Sequence, residues 1–341
     1  MNKEPLFGKT LFELQEICRE LQLPSFTAKQ LCEWMYKKQA SQIDQMTNLS
    51  KDTRAKLLEK YDLGINSPVD VKVSKDGTKK YLYSVFDGKF IESAYIPEFD
   101  RATLCVSSQV GCKMACDFCM TGKQGFQGNL TPGEIVNQIR SLPEYERLTN
   151  VVYMGMGEPF DNIDNVLKSL EILTSDYGYG WSPKRITVSS VGILQGLTKF
   201  IEQSKCHLAI SLHTPFADQR LEIMPAERVN PIKEVVETIK KYDFGLQRRV
   251  SFEYIMFKGF NDTSAHIKET VKLLNGLKCR VNLIGFHPIP DSSLKGSPKE
   301  TMESFRDALN DKGITTTIRT SRGLDIEAAC GMLSTKKKKV E

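Results

Sequence analysis

The sequence contains no apolar run approaching the length of a membrane-spanning helix. Its first residues, Met1-Asn2-Lys3-Glu4-Pro5, lack the apolar h-region of a signal peptide. The regular, even cysteine set of a secreted disulfide framework is also missing: the nine cysteines are odd in number and three are clustered, which points to a reducing cytosol. Neither a repeat at solenoid periods nor a low-complexity linker interrupts the chain. Charge of one sign is not abundant either. A net charge of +5 permits RNA binding without indicating it, and the terminal run Lys336-Lys337-Lys338-Lys339 reads as a solvated tail. These absences leave a cytoplasmic, globular, non-membrane protein as the expectation. At 341 residues and 40% hydrophobic composition, the chain can form two or three domains around a substantial core.

What is present is concentrated in Gly111-Cys112-Lys113-Met114-Ala115-Cys116-Asp117-Phe118-Cys119, a Cys-x3-Cys-x2-Cys loop. Thiolates are the soft ligands that iron–sulfur clusters require. Three of them leave one iron of a four-iron cluster free to hold a small molecule. A structural zinc site takes four protein ligands, commonly as paired Cys-x2-Cys, and no second pair follows nearby. Buried inert thiols are the remaining reading.

Around this loop the periodicity changes three times. Residues near 9 to 63 read as three short helices, the first opened by Thr10 and Glu13 at capping-box spacing and the second carrying Leu31, Trp34 and Met35 on one face. A third, between Ser50 and Tyr61, is rich in Lys and Arg. From Val71 to Pro97 the period is two, with a hairpin turning at Asp87-Gly88. After Arg101, strand-like runs at Thr103–Val106, Asn150–Met154, Arg185–Ser189, Cys206–Leu212, Val250–Met256 and Arg280–Phe286 alternate with helical patterns. A last strand at Thr315–Thr320 follows. Six strand–helix units predict an α/β fold with a parallel sheet, wound flat or curled into part of a barrel. Four segments are expected: a helical accessory domain (1–66), a β-hairpin extension (67–100), the α/β unit (101–334) and a basic tail (335–341).

Sites in such sheets lie at the C-terminal ends of the strands, and several motifs fall there. Gly157-Glu158 ends the second unit, Ser189 the third, Ser211-Leu212-His213 the fourth and His287 the sixth. Read alone, they are a strand-to-helix turn, a helix cap and a hydrogen-bonded core histidine. Glu92 reads as a solvent-facing strand carboxylate, and Cys330, in Ala328-Ala329-Cys330-Gly331, as a small buried hydrophobe or a reactive thiol. Cys18, Cys32, Cys206 and Cys279 read as core residues.

The cysteine loop resembles the signature of the radical S-adenosylmethionine (SAM) superfamily. With the run Leu104 to Cys112, the segment Thr121-Gly122-Lys123-Gln124-Gly125-Phe126 and the C-terminal stretch Arg319 to Leu333, it resembles the RlmN/Cfr family of RNA adenine methyltransferases. The resemblance implies a partial (βα)6 TIM-like barrel, a [4Fe-4S] cluster held by Cys112, Cys116 and Cys119, and SAM contacts at Gly157, Glu158, Ser189, Ser211, Leu212, His213 and His287. At His287 the sequence departs from the commonest family pattern, which has asparagine; imidazole offers a different reach and a pH dependence. It further implies that Cys330 takes a methyl group from one SAM and that a radical from a second SAM abstracts hydrogen from that methyl. The resulting carbon then joins adenine, Glu92 accepts the displaced proton, and Cys105 releases the product by forming a transient disulfide with Cys330. The implied targets are C2 of adenine 2503 in 23S rRNA, before the ribosome is fully assembled, and adenine 37 of some tRNAs. A monomer served by flavodoxin or ferredoxin as electron donor is expected. The 1–66 domain is expected to recognise RNA.

Three alternatives are weighed. A C8-methyltransferase would keep the chemistry and move the target atom, but Lys123-Gln124-Gly125-Phe126 looks more like the C2 branch. A non-catalytic iron–sulfur or zinc RNA-binding protein would need neither Glu92 nor the Cys105/Cys330 pair. A glycyl-radical activase would have no use for the C-terminal cysteine motif.

Overall fold

The structure, a computed structural model, describes residues 3–245, 248–290 and 292–335. The tail lysines Lys336–Lys339 lie outside the described residues.

The N-terminal module contains β1 (Glu4–Pro5), α1 (Leu11–Glu20), α2 (Thr27–Cys32), α3 (Lys51–Lys60) and β2 (Tyr61–Asp62), with β1 and β2 paired in parallel. The capping box forms as its spacing predicts: Thr10 Oγ1 accepts the Glu13 N–H at 3.3 Å, and Glu13 Oε2 accepts the Thr10 N–H at 2.8 Å. Each bond satisfies an otherwise orphaned helix-end donor. Leu31 and Met35 are fully buried while Trp34 lies half-buried. The apolar core of this module runs on into the rest of the protein through Tyr36, whose ring lies 5.9 Å from that of Tyr179.

Three antiparallel strands follow: β3 (Asp70–Val73), β4 (Lys79–Ser84) and β5 (Phe90–Pro97). The β4–β5 turn centres on Asp87 and Gly88, both left-handed at φ of 51° and 65°, the conformation that suits the right-handed twist of a hairpin. The two-residue period suggested only the β4–β5 pair; β3 adds a third strand.

The extension is also continuous with the main sheet, because β5 pairs antiparallel with β6 (Ala102–Cys105) in the register Ala94↔Cys105. The first strand–helix unit is completed by α5 (Pro132–Arg140), after a loop that holds β7 (Gln109–Val110), α4 (Met120–Gln124) and β8 (Gly128–Asn129). The next four strands, each with its helix or helices, are β9 (Asn150–Tyr153) with α6 (Ile163–Thr174), β10 (Ile186–Ser190) with α7 (Leu194–Gln203), β11 (His207–Ser211) with α8 (Ala217–Ile223) and α9 (Ile232–Lys240), and β12 (Val250–Met256) with α10 (Ser264–Leu274). The chain continues through β13 (Arg280–Gly285), α11 (Lys299–Asp311) and β14 (Thr315–Arg319). The sheet order is β14-β13-β12-β11-β10-β9-β6-β5-β4-β3. Six parallel units and a seventh parallel strand thus form an open, partial barrel.

Alternation along these strands divides the fold into two regions. Leu104, Val151, Tyr153, Ile186, Val188, Leu208, Ile210, Phe252 and Leu283 face the helices and make the apolar core. The intervening positions, among them Thr187, Ser251, Glu253, Asn282 and Thr317, face a polar lumen. Parallel strands need both faces covered; here the inner face is covered by polar side chains that bond to one another.

Candidate active site

The cysteine loop leaves the C-terminal end of β6. Gly111 makes its closure possible: the backbone is left-handed at φ +71°, and a Cβ there would lie 1.7 Å from the Gly125 carbonyl oxygen. Cys112, Cys116 and Cys119 line one cavity of about 150 Å³ together with Gly157, Glu158, Ser189, Ser211, His213 and Cys330. Burial, with mutual repulsion between the thiols, pushes Cys112 up to about 12 and Cys116 well above the ordinary thiol value. Such thiols ionise only beside positive charge, which iron supplies. Among the described residues no three His, Cys, Asp or Glu side chains converge on a single-ion site. A cluster does not need such a point, since each thiolate binds a different iron. Three loop thiols on one cavity wall that do not converge on a single ion therefore suit a [4Fe-4S] cluster better than zinc.

The predicted strand-end residues assemble around this cavity. Glu158 is buried, and its two carboxylate oxygens accept the N–H groups of Phe160 and Val191, each at 2.9 Å. Burial outweighs these bonds and raises its pKa to about 7, so a ligand ammonium would find a carboxyl ready to ionise against it. Gly157, at φ +97°, has the Gln109 backbone so near that a Cβ would lie 2.7 Å from its nitrogen. His213 is also left-handed at φ 58°. Its Nδ1 accepts the Ile255 N–H at 3.0 Å, which puts the proton of the neutral ring on Nε2. Burial first, and Arg220 second, push its pKa down to about 3.

Two of the predicted contacts lie elsewhere. The Leu212 side chain is fully buried in the helix-facing core, as alternation with Ser211 and His213 requires, and its backbone N–H and carbonyl bond to the Glu253 carbonyl and to Arg220. His287 lines a second, adjacent cavity of about 380 Å³, where its Nε2 is 2.6 Å from Ser321 Oγ.

That second cavity also holds Cys105, Arg101, Arg319 and Arg322. Cys119 and Cys330 line both cavities. Cys330 is exposed and Cys105 buried, and both are free thiols. The C-terminal segment carrying Cys330 is pinned from two sides. Asp76 Oδ2 accepts the Gly323 N–H at 2.9 Å and Asp325 Oδ1 accepts from Ser74 Oγ at 2.5 Å, which ties it to the β3–β4 turn. Gly331 O accepts the Met120 N–H and Leu333 O the Thr121 hydroxyl, both at 2.7 Å, which ties it to the cysteine loop.

Glu92 is not the solvent-facing carboxylate its strand position suggests. It is 2% exposed, its Oε1 lies 3.3 Å from Lys80 Nζ, and its Oε2 accepts the Ser334 N–H at 3.1 Å. It lines neither cavity. Cys18, Cys32 and Cys206 are core residues and Cys279 packs at the core's edge, as read.

Three supporting residues were given no role from the sequence. Arg220, 0% exposed, pairs with Glu227 and donates to the carbonyls of Val191, Ser211 and Leu212. Gln109 accepts from the Glu158 N–H and donates to Asp161, at 2.8 and 2.7 Å. Ser107 Oγ bridges the Met156 N–H and the Glu92 carbonyl. An arginine on a short helix and a Ser-Ser-Gln run are ordinary in sequence; only the fold reveals them as braces.

Residues 106–274 match the model of the radical SAM superfamily, and residues 5–63 that of the ribosomal RNA large subunit methyltransferase N-terminal domain. The chain is 63% identical over 337 residues to a "probable dual-specificity RNA methyltransferase RlmN" of Bacteroides fragilis, covering 99% of this chain and 98% of that one. It is 42% identical to the "dual-specificity RNA methyltransferase RlmN" of Nitratiruptor, covering 92% and 94%. Among solved structures, a radical SAM methyltransferase from Sphaerobacter thermophilus superposes with a TM-score of 0.89 at 39% identity, over 96% of this chain and 98% of that one. On the matched domains, the near-complete coverage and the shared fold, the chain belongs to the RlmN family of radical SAM methyltransferases.

Proposed function

We propose that the protein methylates C2 of an adenine in RNA, at position 2503 of 23S rRNA and position 37 of some tRNAs, using Cys330 as methyl carrier. The observation that carries this reading is the position of Cys330 on the wall shared by the two cavities. One side meets the thiols suited to a cluster and the strand-end residues suited to SAM; the other meets Cys105 and an arginine-lined entrance. An exposed thiol there can take a methyl from one side and present it to a base on the other.

Cys112, Cys116 and Cys119 would hold a [4Fe-4S] cluster, and Gly157, Glu158, Ser189, Ser211 and His213 would hold SAM. When bound, these groups supply a carbon radical able to remove hydrogen from a methyl group that no side-chain base can deprotonate. The chain supplies the rest. Glu158 ionises against the amino group and His213 donates from Nε2. Cys330, as thiolate, displaces a methyl from a sulfonium. Glu92 accepts the proton from the substituted ring carbon, which requires the Ser334 contact to open when RNA binds. Cys105 attacks the Cys330 sulfur to release product, leaving a disulfide for cytosolic reductants. The described residues include no helix long and apolar enough to cross a membrane, in keeping with a cytoplasmic site of action. In the N-terminal module Phe12 and Phe26 are 67% and 60% exposed and α3 carries Lys51, Arg54, Lys56 and Lys60, side chains of the kinds that bind RNA; an acidic electron donor such as flavodoxin completes the system.

The segment Lys123-Gln124-Gly125-Phe126, which looks more like the C2 branch, supports C2 over C8. The mass of the Cys330 peptide tests the reading. A methyl group is expected on Cys330 of protein made with a functional cluster, absent without SAM and in Cys330→Ala. A bare thiol in protein that still methylates RNA would overturn it.

A further inference from the structure

We propose that Arg319 is a positioning residue for the thiol pair: Glu253 clamps its guanidinium at the upper end of the barrel lumen, where it favours the nucleophilic thiolate of Cys105. This inference rests on the reading of Cys105 as the thiol that attacks Cys330.

Arg319 ends the edge strand β14, so pairing leaves its side chain free on one side. Its Nη1 lies 3.3 Å from Glu253 Oε2 and 3.5 Å from Met154 Sδ. Glu253 is 4% exposed and cannot move away, because its Oε1 accepts from Ser251 Oγ at 3.0 Å and from Asn282 Nδ2 at 2.7 Å. Asn282 is fixed in turn by Thr317 Oγ1 at 2.9 Å. Four lumen side chains thus orient one guanidinium, which borders the lumen and both site cavities.

Of the neighbours of Cys105, the Met154 backbone favours its thiolate by a hydrogen bond, and the side chains packed around it are apolar. It packs with Ala94 of β5, Val152 of β9 and Ala328 of the C-terminal segment. The charged and titratable groups that share its cavity are Glu98 and Arg101 beyond β5, Cys119 of the cysteine loop, His287 beyond β13, Cys330, Arg322 and Arg319. Burial pushes the Cys105 thiol up to about 12 and Cys330 adds to the rise, whereas Arg319 opposes both. Thiols attack as thiolates, so the opposing charge bears directly on the releasing step. In that step the Cys105 sulfur pair forms the S–S bond and the carbon–sulfur bond at Cys330 breaks. Its electron pair passes to the nucleotide carbon, which takes a proton from solvent. The Cys105 thiolate and the Cys330 thioether sulfur are oxidised to the disulfide as the methylene carbon is reduced to methyl.

The test is the pH profile of Cys105 alkylation by iodoacetamide in cluster-reconstituted Cys330→Ala protein, read by peptide mass under anaerobic conditions. Arg319→Met is expected to shift the profile upward by about one pH unit and slow labelling at pH 8 by roughly tenfold. Arg319→Lys, which keeps the charge, is expected to restore the rate to within about threefold. An unchanged profile in Arg319→Met, or equal slowing in Met and Lys variants, overturns the proposal. If Arg319→Met does not fold, Arg319→Gln, which still donates to Glu253, carries the same comparison. Because Cys330 is absent from the assay, its failure as a methyl carrier would leave this result readable.

Discussion

Lys80 Nζ and Glu92 Oε1 lie 3.3 Å apart on adjacent strands, with side chains 4% and 2% exposed. They face each other diagonally across β4 and β5, where Leu82 is paired with Glu92 and Lys80 with Ala94. Lys80 also donates to the Glu327 carbonyl at 3.2 Å, so the ion pair fastens the C-terminal segment to the extension. Burial lowers the Lys80 pKa, and Glu92 is the largest opposing influence.

Removing one partner of a buried ion pair costs about 3–5 kcal/mol, whereas replacing both by apolar residues is often neutral. Lys80→Met and Glu92→Gln are each expected to lower stability in denaturant titrations. The Lys80→Met/Glu92→Leu double variant should recover most of it while methylating no RNA. A double variant as unstable as the worse single would show that the pair is not the cause.

Arg220 is expected to be intolerant of lysine. Its guanidinium reaches the Val191, Ser211 and Leu212 carbonyls and Glu227 together, a fork that a single ammonium cannot reproduce. Arg220→Lys should cost about 2–4 kcal/mol and weaken SAM binding at least tenfold, because Val191 and Ser211 border the cavity. Calorimetric titration with SAM checks this; unchanged affinity would remove Arg220 from the site's support.

For His213 the pH dependence has a definite sign. The folded-state pKa, about 3, lies below the unfolded value near 6.5. Its contribution is present above the unfolded pKa and lost as pH falls towards 3, because the unfolded chain takes up the proton first. His213→Asn suits the left-handed backbone and leaves an acceptor for the Ile255 N–H. The variant should lose less stability than the parent between about pH 6.5 and 3. Parallel stability curves would contradict the buried, neutral imidazole.

Gly111→Ala should fold as a barrel but fail to retain iron. A Cβ at 1.7 Å from the Gly125 carbonyl, on a left-handed backbone, forces the cysteine loop open. Reconstitution should give well under the roughly four irons per chain of a complete cluster, with unchanged far-UV circular dichroism. Full iron loading would mean that the loop closes another way.

The repeating strand–helix pattern was legible in the sequence because each element's periodicity reports its own burial. The run at Val250–Met256 coincides with β12 to the residue, and those at Asn150–Met154 and Arg280–Phe286 end one residue past β9 and β13. Glycine positions and strand-end motifs were legible as well, since Gly111, Gly157 and His213 sit where the backbone itself is constrained. Side-chain direction was less so: Leu212 belongs to a motif but points into the core, and His287 borders the neighbouring cavity.

What the sequence by itself determined is local: caps, turns, periods and the spacing of three thiols, each set by interactions within a few residues. Only the tertiary structure decided that Glu92 is buried against Lys80, that Cys330 stands between two cavities, and that Arg319 is clamped by Glu253. Lys80 and Glu92 are 12 positions apart, Cys330 is 211 or more from the three loop thiols, and Arg319 is 66 from Glu253. Which of two polar strand residues meets a partner across such distances follows from sheet order and register, and no single segment carries that information.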